Sequence, residues 1–340
     1  MNILMIGLYP PHVGGIASYV SNLTHSLEEQ GHAVYVVTYG SSTQPRAYGT
    51  PVTSRGRGLS FLLWGTKIAL RAVQKEDIDI IHAHYLVPPG LVGGWVKCLS
   101  GVPLVVTCHG SDIFLFSQGW KKIFTQLVMR HADCITTNSQ ATRKAVEILG
   151  ADDAVYVPSG VDRTRFTPLH LQREAVTYVG ALEQVKCVDT FLRAMQGIPE
   201  KVWIIGDGTR RRQLETLAQD LNLNCTFWGY RTGAAVPELM NRSKIIVLPS
   251  RHEGFGLTVL EAMACGTPVI GRKTGGIPEI ITGENGMLFT TESELHTAIG
   301  TLLSNTQLWG EIQKKGLKTA AQWSWDRTAH TYSQIYSRYL

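Results

Sequence analysis

Short runs in which nearly every position is apolar recur along the chain, separated by longer stretches whose apolar residues fall three or four positions apart. In the first half the runs are Ile3–Gly7, Ala33–Thr38, Ile78–Ile81, Leu104–Thr107 and Cys134–Thr137. A strand apolar on both faces is covered on both sides, which is the pattern of a parallel sheet lying between helices. The series restarts after Pro168 with Val176–Val179, Val202–Ile205, Thr226–Trp228, Ile245–Leu248 and Pro268–Ile270. Two such series predict two doubly wound α/β domains, with the polar stretch Asp162–Glu174 as their linker. Glu292–Ser304, Gln307–Ala321 and Trp325–Leu340 have helical periodicity, and the last carries an apolar stripe of Trp325, Tyr332, Ile335, Tyr336 and Leu340 that needs a surface to cover.

Composition narrows this picture. At 340 residues, 44% hydrophobic and 17% charged, the chain has the length for two cores and is no disordered polyampholyte. Its 32 basic and 27 acidic residues give +5, which suits an anionic ligand but falls short of a nucleic-acid binder. The six cysteines follow neither a metal-ligand spacing nor a disulfide framework, so a reducing compartment is expected. Met1–Gly7 reads as a buried strand rather than a signal peptide. The lipid-like stretch Leu86–Cys108 is broken by Lys97, Pro103 and several glycines, so no spanning helix is expected and a cytoplasmic location is.

In open α/β sheets ligands sit beyond the carboxyl ends of the strands, so the chemistry is sought in the loops that leave them. Gly14-Gly15 opens a helix after the first strand, where close backbone approach to an anion and a plain tight turn are both consistent readings. His109 and Asp112 leave the fourth run; His109 could bond a hydroxyl or main chain, and Asp112 could cap the next helix. Lys186 follows Gly180 by six residues and could reach a phosphate as a point charge, or be plain solvated surface. Gly206-Asp207-Gly208 with Arg210 repeats the glycine pair of a strand-to-helix switch. Most informative is Glu253-Gly254-Phe255-Gly256-Leu257 with Glu261: two carboxylates flank one turn whose amides suit phosphate, while the carboxylates suit sugar hydroxyls. The competing reading is that Thr258 and Glu261 form a capping box. Gly275-Gly276 could close the same site from its other side.

These residues resemble the family 4 retaining glycosyltransferases, over nearly the whole chain. The likeness runs from Gly14-Gly15 through His109-Gly110-Ser111-Asp112, Gly160-Val161-Asp162, Lys186 and Gly206-Asp207-Gly208 to the Glu253-to-Glu261 signature and Gly275-Gly276. The resemblance implies a GT-B fold: two facing Rossmann-like domains with an interdomain cleft. The expected division is 1–167, rejoined by a closing helix 327–340, and 168–326. It further implies a nucleotide-diphosphate sugar donor, with Glu261 on the ribose hydroxyls and Glu253, Gly254, Phe255, Gly256 and Leu257 against the sugar and diphosphate. Gly206, Gly208 and Arg210 would belong to the donor side, Lys186 would neutralise the departing diphosphate, and His109 would face the donor sugar. Gly14-Gly15 would border the phosphates and the acceptor entrance. No metal and no separate cofactor is expected.

Two positions depart from the family pattern: Ala181 stands where arginine is common, and Cys187 where glycine follows the lysine. Arg210 and Arg251 are the candidates to replace the missing cation, and the Cys187 side chain is expected to crowd the phosphate approach. The activity expected is transfer of a hexose or N-acetylhexosamine to a glycan or lipid-linked acceptor; a sugar-nucleotide-binding partner subunit without turnover is the alternative. Finally, Gln30–Lys75 has six basic residues (Arg46, Arg55, Arg57, Lys67, Arg71, Lys75) and no acidic one, near Phe61, Leu62 and Trp64. Ile113–Ala132 likewise joins Lys121 and Lys122 to Phe114, Phe116, Trp120 and Phe124. Basic residues interleaved with aromatics suit an anionic membrane surface, unless the aromatics are core.

Overall fold

The computed structural model describes residues 1–51, 57–116 and 119–340, without the side chains of 114–116 and 120. Arg55 and the aromatic rings of Phe114, Phe116 and Trp120, expected on a membrane-facing surface, therefore lie outside the described residues. By contacts the chain forms two units, Met1–Ser159 with Trp325–Leu340, and Gly160–Ser324.

The first unit is built on β1 (Asn2–Ile6), β2 (Ala33–Tyr39), β3 (Ala47–Thr50), β4 (Ile80–His84), β5 (Leu104–Cys108), β6 (Cys134–Thr137) and β7 (Val155–Tyr156). They pair in the order β3-β2-β1-β4-β5-β6-β7, all parallel. The second unit has β8 (Ala175–Val179), β9 (Lys201–Ile205), β10 (Cys225–Gly229), β11 (Ser243–Leu248), β12 (Val269–Arg272) and β13 (Met287–Phe289). Their order is β10-β9-β8-β11-β12-β13, again all parallel. Every expected apolar run overlaps a strand, Ile78–Ile81 only by its last two residues, and β3, β7 and β13 are additional. These three lie at sheet edges and are short, and an edge strand needs no two-sided apolar run.

Each sheet reverses direction once, between β1 and β4 in the first and between β8 and β11 in the second. There, neighbouring strands send their connections to opposite sides and leave a crevice at their carboxyl ends.

The expected boundary at 167/168 moves to 159/160, and the closing segment starts at Trp325 rather than 327. Asp162–Glu174 is no free linker: Phe166 is buried in the second unit's core, and Arg173 donates to the main-chain oxygens of Ser243 at 2.8 Å and Gly266 at 2.9 Å. Its polarity serves hydrogen bonds to folded chain rather than solvent.

The last helix, Trp325–Tyr336, covers part of the first unit with Trp325, Tyr332, Ile335 and Tyr336, while Leu340, expected in the same stripe, is exposed. Its hold is polar as well as apolar. The Tyr332 hydroxyl lies 2.9 Å from Thr107 Oγ1, 3.2 Å from Thr136 Oγ1 and 3.0 Å from the Tyr19 hydroxyl. His82 closes the network, 2.6 Å from the Tyr336 hydroxyl and 2.6 Å from Thr107 Oγ1. A buried polar group left unpaired costs more than the pairing gains, so this network fixes one seating of the helix. Tyr332→Phe is expected to destabilise the first unit by about 1–3 kcal/mol. Hydrogen exchange at the β5 and β6 amides checks it: faster exchange is expected, and unchanged protection contradicts the assignment.

Candidate functional site

In the second unit, the loops leaving β8 and β11 flank the reversal point, and each delivers one charge. Lys186 Nζ lies 2.7 Å from Glu253 Oε2, both half-buried. The loops are also joined through main chain, Arg251 N donating to Val185 O at 2.8 Å. Glu253 is held in turn by the loop after β12, because Gly276 N donates to Glu253 O at 3.2 Å. Gly275, at φ +53, lies so close that an added Cβ would stand 1.7 Å from that oxygen. The Gly275-Gly276 loop therefore buttresses Glu253 from behind.

Past Glu253, the amides of Gly254, Phe255 and Gly256 donate no hydrogen bond among the described residues. Gly256 caps the helix Leu257–Ala264 with no side-chain bond, leaving its first amides open to an anion. Glu261 lies in the second turn of that helix, so the capping-box reading is set aside. Its carboxyl has no hydrogen bond among the described residues, and burial pushes it up to about 7, opposed in part by the nearby Arg165 charge. The helix that follows the unused amides thus carries an unpaired carboxyl, so one segment offers both an acceptor and donors. Arg165 went unremarked in the sequence, since only the folded chain brings it near Glu261.

The loops after β8 and β9 lock onto each other. Leu182 N donates to Asp207 O at 2.9 Å, Arg210 N to Leu182 O at 3.0 Å, and Thr209 N and Oγ1 to the Glu183 carboxylate at 3.1 and 2.6 Å. The Gly206 amide serves Gly229 O and the Gly208 amide serves Asp207 Oδ1. These two glycines, expected against the donor, admit neighbouring backbone instead. Arg210 is likewise engaged, by Asp189 at 3.2 Å and Gln213 at 3.2 Å. Arg251 is exposed, and its guanidinium makes no bond among the described residues. Cys187 takes φ +48, the left-handed region that favours glycine, and its buried thiol turns toward the oxygens of Gln184 and Val185. This conformation costs backbone strain.

The first unit has its own reversal-point site. Gly14 and Gly15 face open space after β1, and Gly14, at φ +125, caps the helix Gly15–Glu29. His109 is buried after β5, with its ring edge-on to Tyr19 at 4.8 Å and its Nε2 without a partner among the described residues. Burial lowers His109 to about 3, so the imidazole is neutral at physiological pH. Next to it, ring centroids 5.6 Å apart, stands His84, at the end of β4, also buried and with both ring nitrogens without a partner among the described residues. Asp112 is a positioning residue: its Oδ1 accepts from the amides of His109 and Ile113, each at 3.1 Å, and its Oδ2 from Leu86 N at 3.2 Å. Among the described residues no group of His, Cys, Asp and Glu is gathered as metal ligands.

Comparison with known proteins places both units. Residues 13–165 match the family described as Glycosyltransferase Family 4, and residues 162–320 match Glycosyl transferases group 1. The chain is 29% identical to an uncharacterized glycosyltransferase of Methanocaldococcus jannaschii, over 99% of this chain and 98% of that one. Among solved structures it superposes on sucrose-phosphate synthase from Thermosynechococcus elongatus with a TM-score of 0.90 at 22% identity, covering 99% and 98% of the two chains. It also superposes on Anabaena HepE in complex with UDP-glucose, with a TM-score of 0.85 at 22% identity over 99% of each chain.

The raised Glu261 carboxyl makes a pH prediction. Its ordinary value is 4.5 and its folded value about 7, so the folded state binds the extra proton between them and its stability falls as pH rises through about 7. Glu261→Gln carries no titrating group there. The variant's stability relative to the parent is expected to improve from pH 5 to pH 8 in denaturant titrations, and a constant difference across that range contradicts the burial of this carboxyl.

Proposed function

The chain belongs to the family 4 glycosyltransferases of GT-B fold, and we propose that it transfers a hexose or N-acetylhexosamine, with retention at the anomeric carbon, from a nucleoside diphosphate sugar. The proposed acceptor is lipid-linked or a polysaccharide, met at an anionic membrane surface. The observation that carries this reading is the convergence of Lys186, Glu253, the unused amides of 254–256 and the unpaired Glu261 at one reversal point. Glu261 accepts the ribose hydroxyls, which are unchanged by reaction. The diphosphate lies on the amides and draws Lys186 from Glu253, and Arg251 supplies the cation that Ala181 lacks. Protein charges and amides thus do without a metal.

In the transfer step the bond from anomeric carbon to phosphate oxygen breaks, and its electron pair leaves on the diphosphate. The acceptor oxygen bonds that carbon from the same face, and its proton passes to the departing phosphate. Stabilising the developing negative charge dominates the barrier. His109, neutral and with a free ring nitrogen, hydrogen-bonds the sugar and removes no proton.

A thermal-shift panel of UDP- and GDP-sugars tests binding: stabilisation by about 2.7 kcal/mol is expected at 100 times the dissociation constant, and no response to any nucleotide or sugar nucleotide contradicts the reading. Lys186→Ala is expected to lower turnover by about 10²-fold or more, and Arg251→Ala by about tenfold, with Arg210→Ala near the parent. The reverse order for the arginines would assign the cation to Arg210. Binding with no transfer to any acceptor tried would mark a partner subunit.

A further inference from the structure

We propose that one helical face of the first unit docks on an anionic lipid bilayer. The face consists of the helices Arg57–Lys75, Leu91–Ser100 and Lys122–His131, packed side by side: Gly65 lies against Val92 and Gly94 against His131, so no bulky side chain separates the backbones. Large apolar side chains point outward from all three. Leu59 is 65% exposed, Leu63 61%, Leu99 70% and Ile123 66%, with Trp64 and Trp95 also exposed. An exposed apolar set spread over adjacent helices marks an interaction surface, whereas single exposed apolar residues do not.

Charge selects the occupant. The three helices together contain seven Lys or Arg and no Asp or Glu; Lys75 pairs with Glu76 at 2.7 Å and Lys97 with Asp133 at 2.6 Å, just beyond the helix ends, which leaves a net excess of five. On the first, the row Leu59, Leu63, Lys67, Arg71, Lys75 repeats every fourth position, apolar at one end and basic at the other, and all five are exposed. The helices Gly15–Glu29 and Trp325–Tyr336, which pack on each other, carry Glu28, Glu29 and Asp326. A second copy of the face would set a net positive surface against another, and nucleic acid would leave the leucines uncovered. A bilayer of anionic lipids accepts both, taking the leucines and tryptophans at its headgroup boundary and the cations at its phosphates. Phe61, expected among the aromatics of this surface, is instead core, stacked on Tyr39 at 3.7 Å, and its outward neighbours are Leu63 and Trp64. No helix among the described residues is long and apolar enough to cross a membrane, so this contact is peripheral.

The test is cosedimentation of the full chain with vesicles of phosphatidylcholine alone, or mixed with phosphatidylglycerol. Binding to the mixed vesicles is expected to be at least about tenfold stronger and to fall as salt is raised. Lys67→Glu with Arg71→Glu should lower it by about tenfold or more, since each basic residue near the surface contributes about fivefold. Leu63→Gln with Leu99→Gln should weaken it, and Lys314→Glu with Lys318→Glu, on the second unit, should leave it unchanged. These positions are exposed, so matching thermal transitions confirm that the variants fold. Lys186→Ala should bind vesicles as the parent does, which separates failure here from failure of the transfer reading. Equal binding to both vesicle types, no binding, or indifference to the charge reversals overturns the proposal. A dimer in sedimentation velocity that is lost in the leucine variants, without vesicle binding, would make the face an interface between copies.

Discussion

The ion pair between Lys186 and Glu253 depends on one topological fact: β8 and β11 are neighbours whose connections depart to opposite sides of the sheet. Loops from strands 68 residues apart in sequence terms of their first positions, Ala175 and Ser243, can meet only there. The loop after β12 fixes Glu253 through its main chain, and the loop after β9 fixes the Lys186 loop through Leu182 and Glu183. Four loops thus hold two charges. A half-buried pair of this kind is modest as a source of stability, because desolvation offsets attraction; under the proposed function it holds a cation that an anion can compete for.

Both units place unpaired polar groups at their reversal points, by different means. The second uses a carboxyl raised by burial and a turn rich in glycine. The first uses imidazoles, neutral because they are buried, with Asp112 tying two loops together behind them. The hydroxyl network under the last helix is the contrasting case, a buried polar cluster whose members are paired with one another. Paired polar groups specify the fold; those left unpaired at strand ends are available to a ligand.

Much of this was legible in the residues. Two-sided apolar runs predicted the strands, and charges one loop beyond them, Lys186 and Glu253, marked the site. The family resemblance supplied the roles proposed for Glu261 and His109. What was not legible depended on a third segment passing by. A glycine's purpose at 206 or 208 is set by the neighbouring loop, which the local pattern does not contain. Arg210 looked as available as Arg251 because its partner Asp189 lies 21 residues away in the chain. The polar stretch before β8 resembled a linker because its hydrogen-bond partners, Asn241, Ser243 and Gly266, come later. Phe61 shares a helix with exposed Leu63 and Trp64, and only helical phase, through Gly65, Ala69 and Ala72, points it inward.

The central claim is that a nucleotide's ribose is received by a half-buried, desolvated carboxyl with no partner of its own among the described residues. Isothermal titration of UDP and GDP near pH 6.5, in buffers of different ionisation enthalpy, tests it most directly. Hydroxyls donating to Glu261 favour its ionised form and lower its pKa from about 7. Binding should therefore release protons in the parent and markedly fewer in Glu261→Gln. Binding with no proton exchange, or with equal release from both proteins, would contradict it.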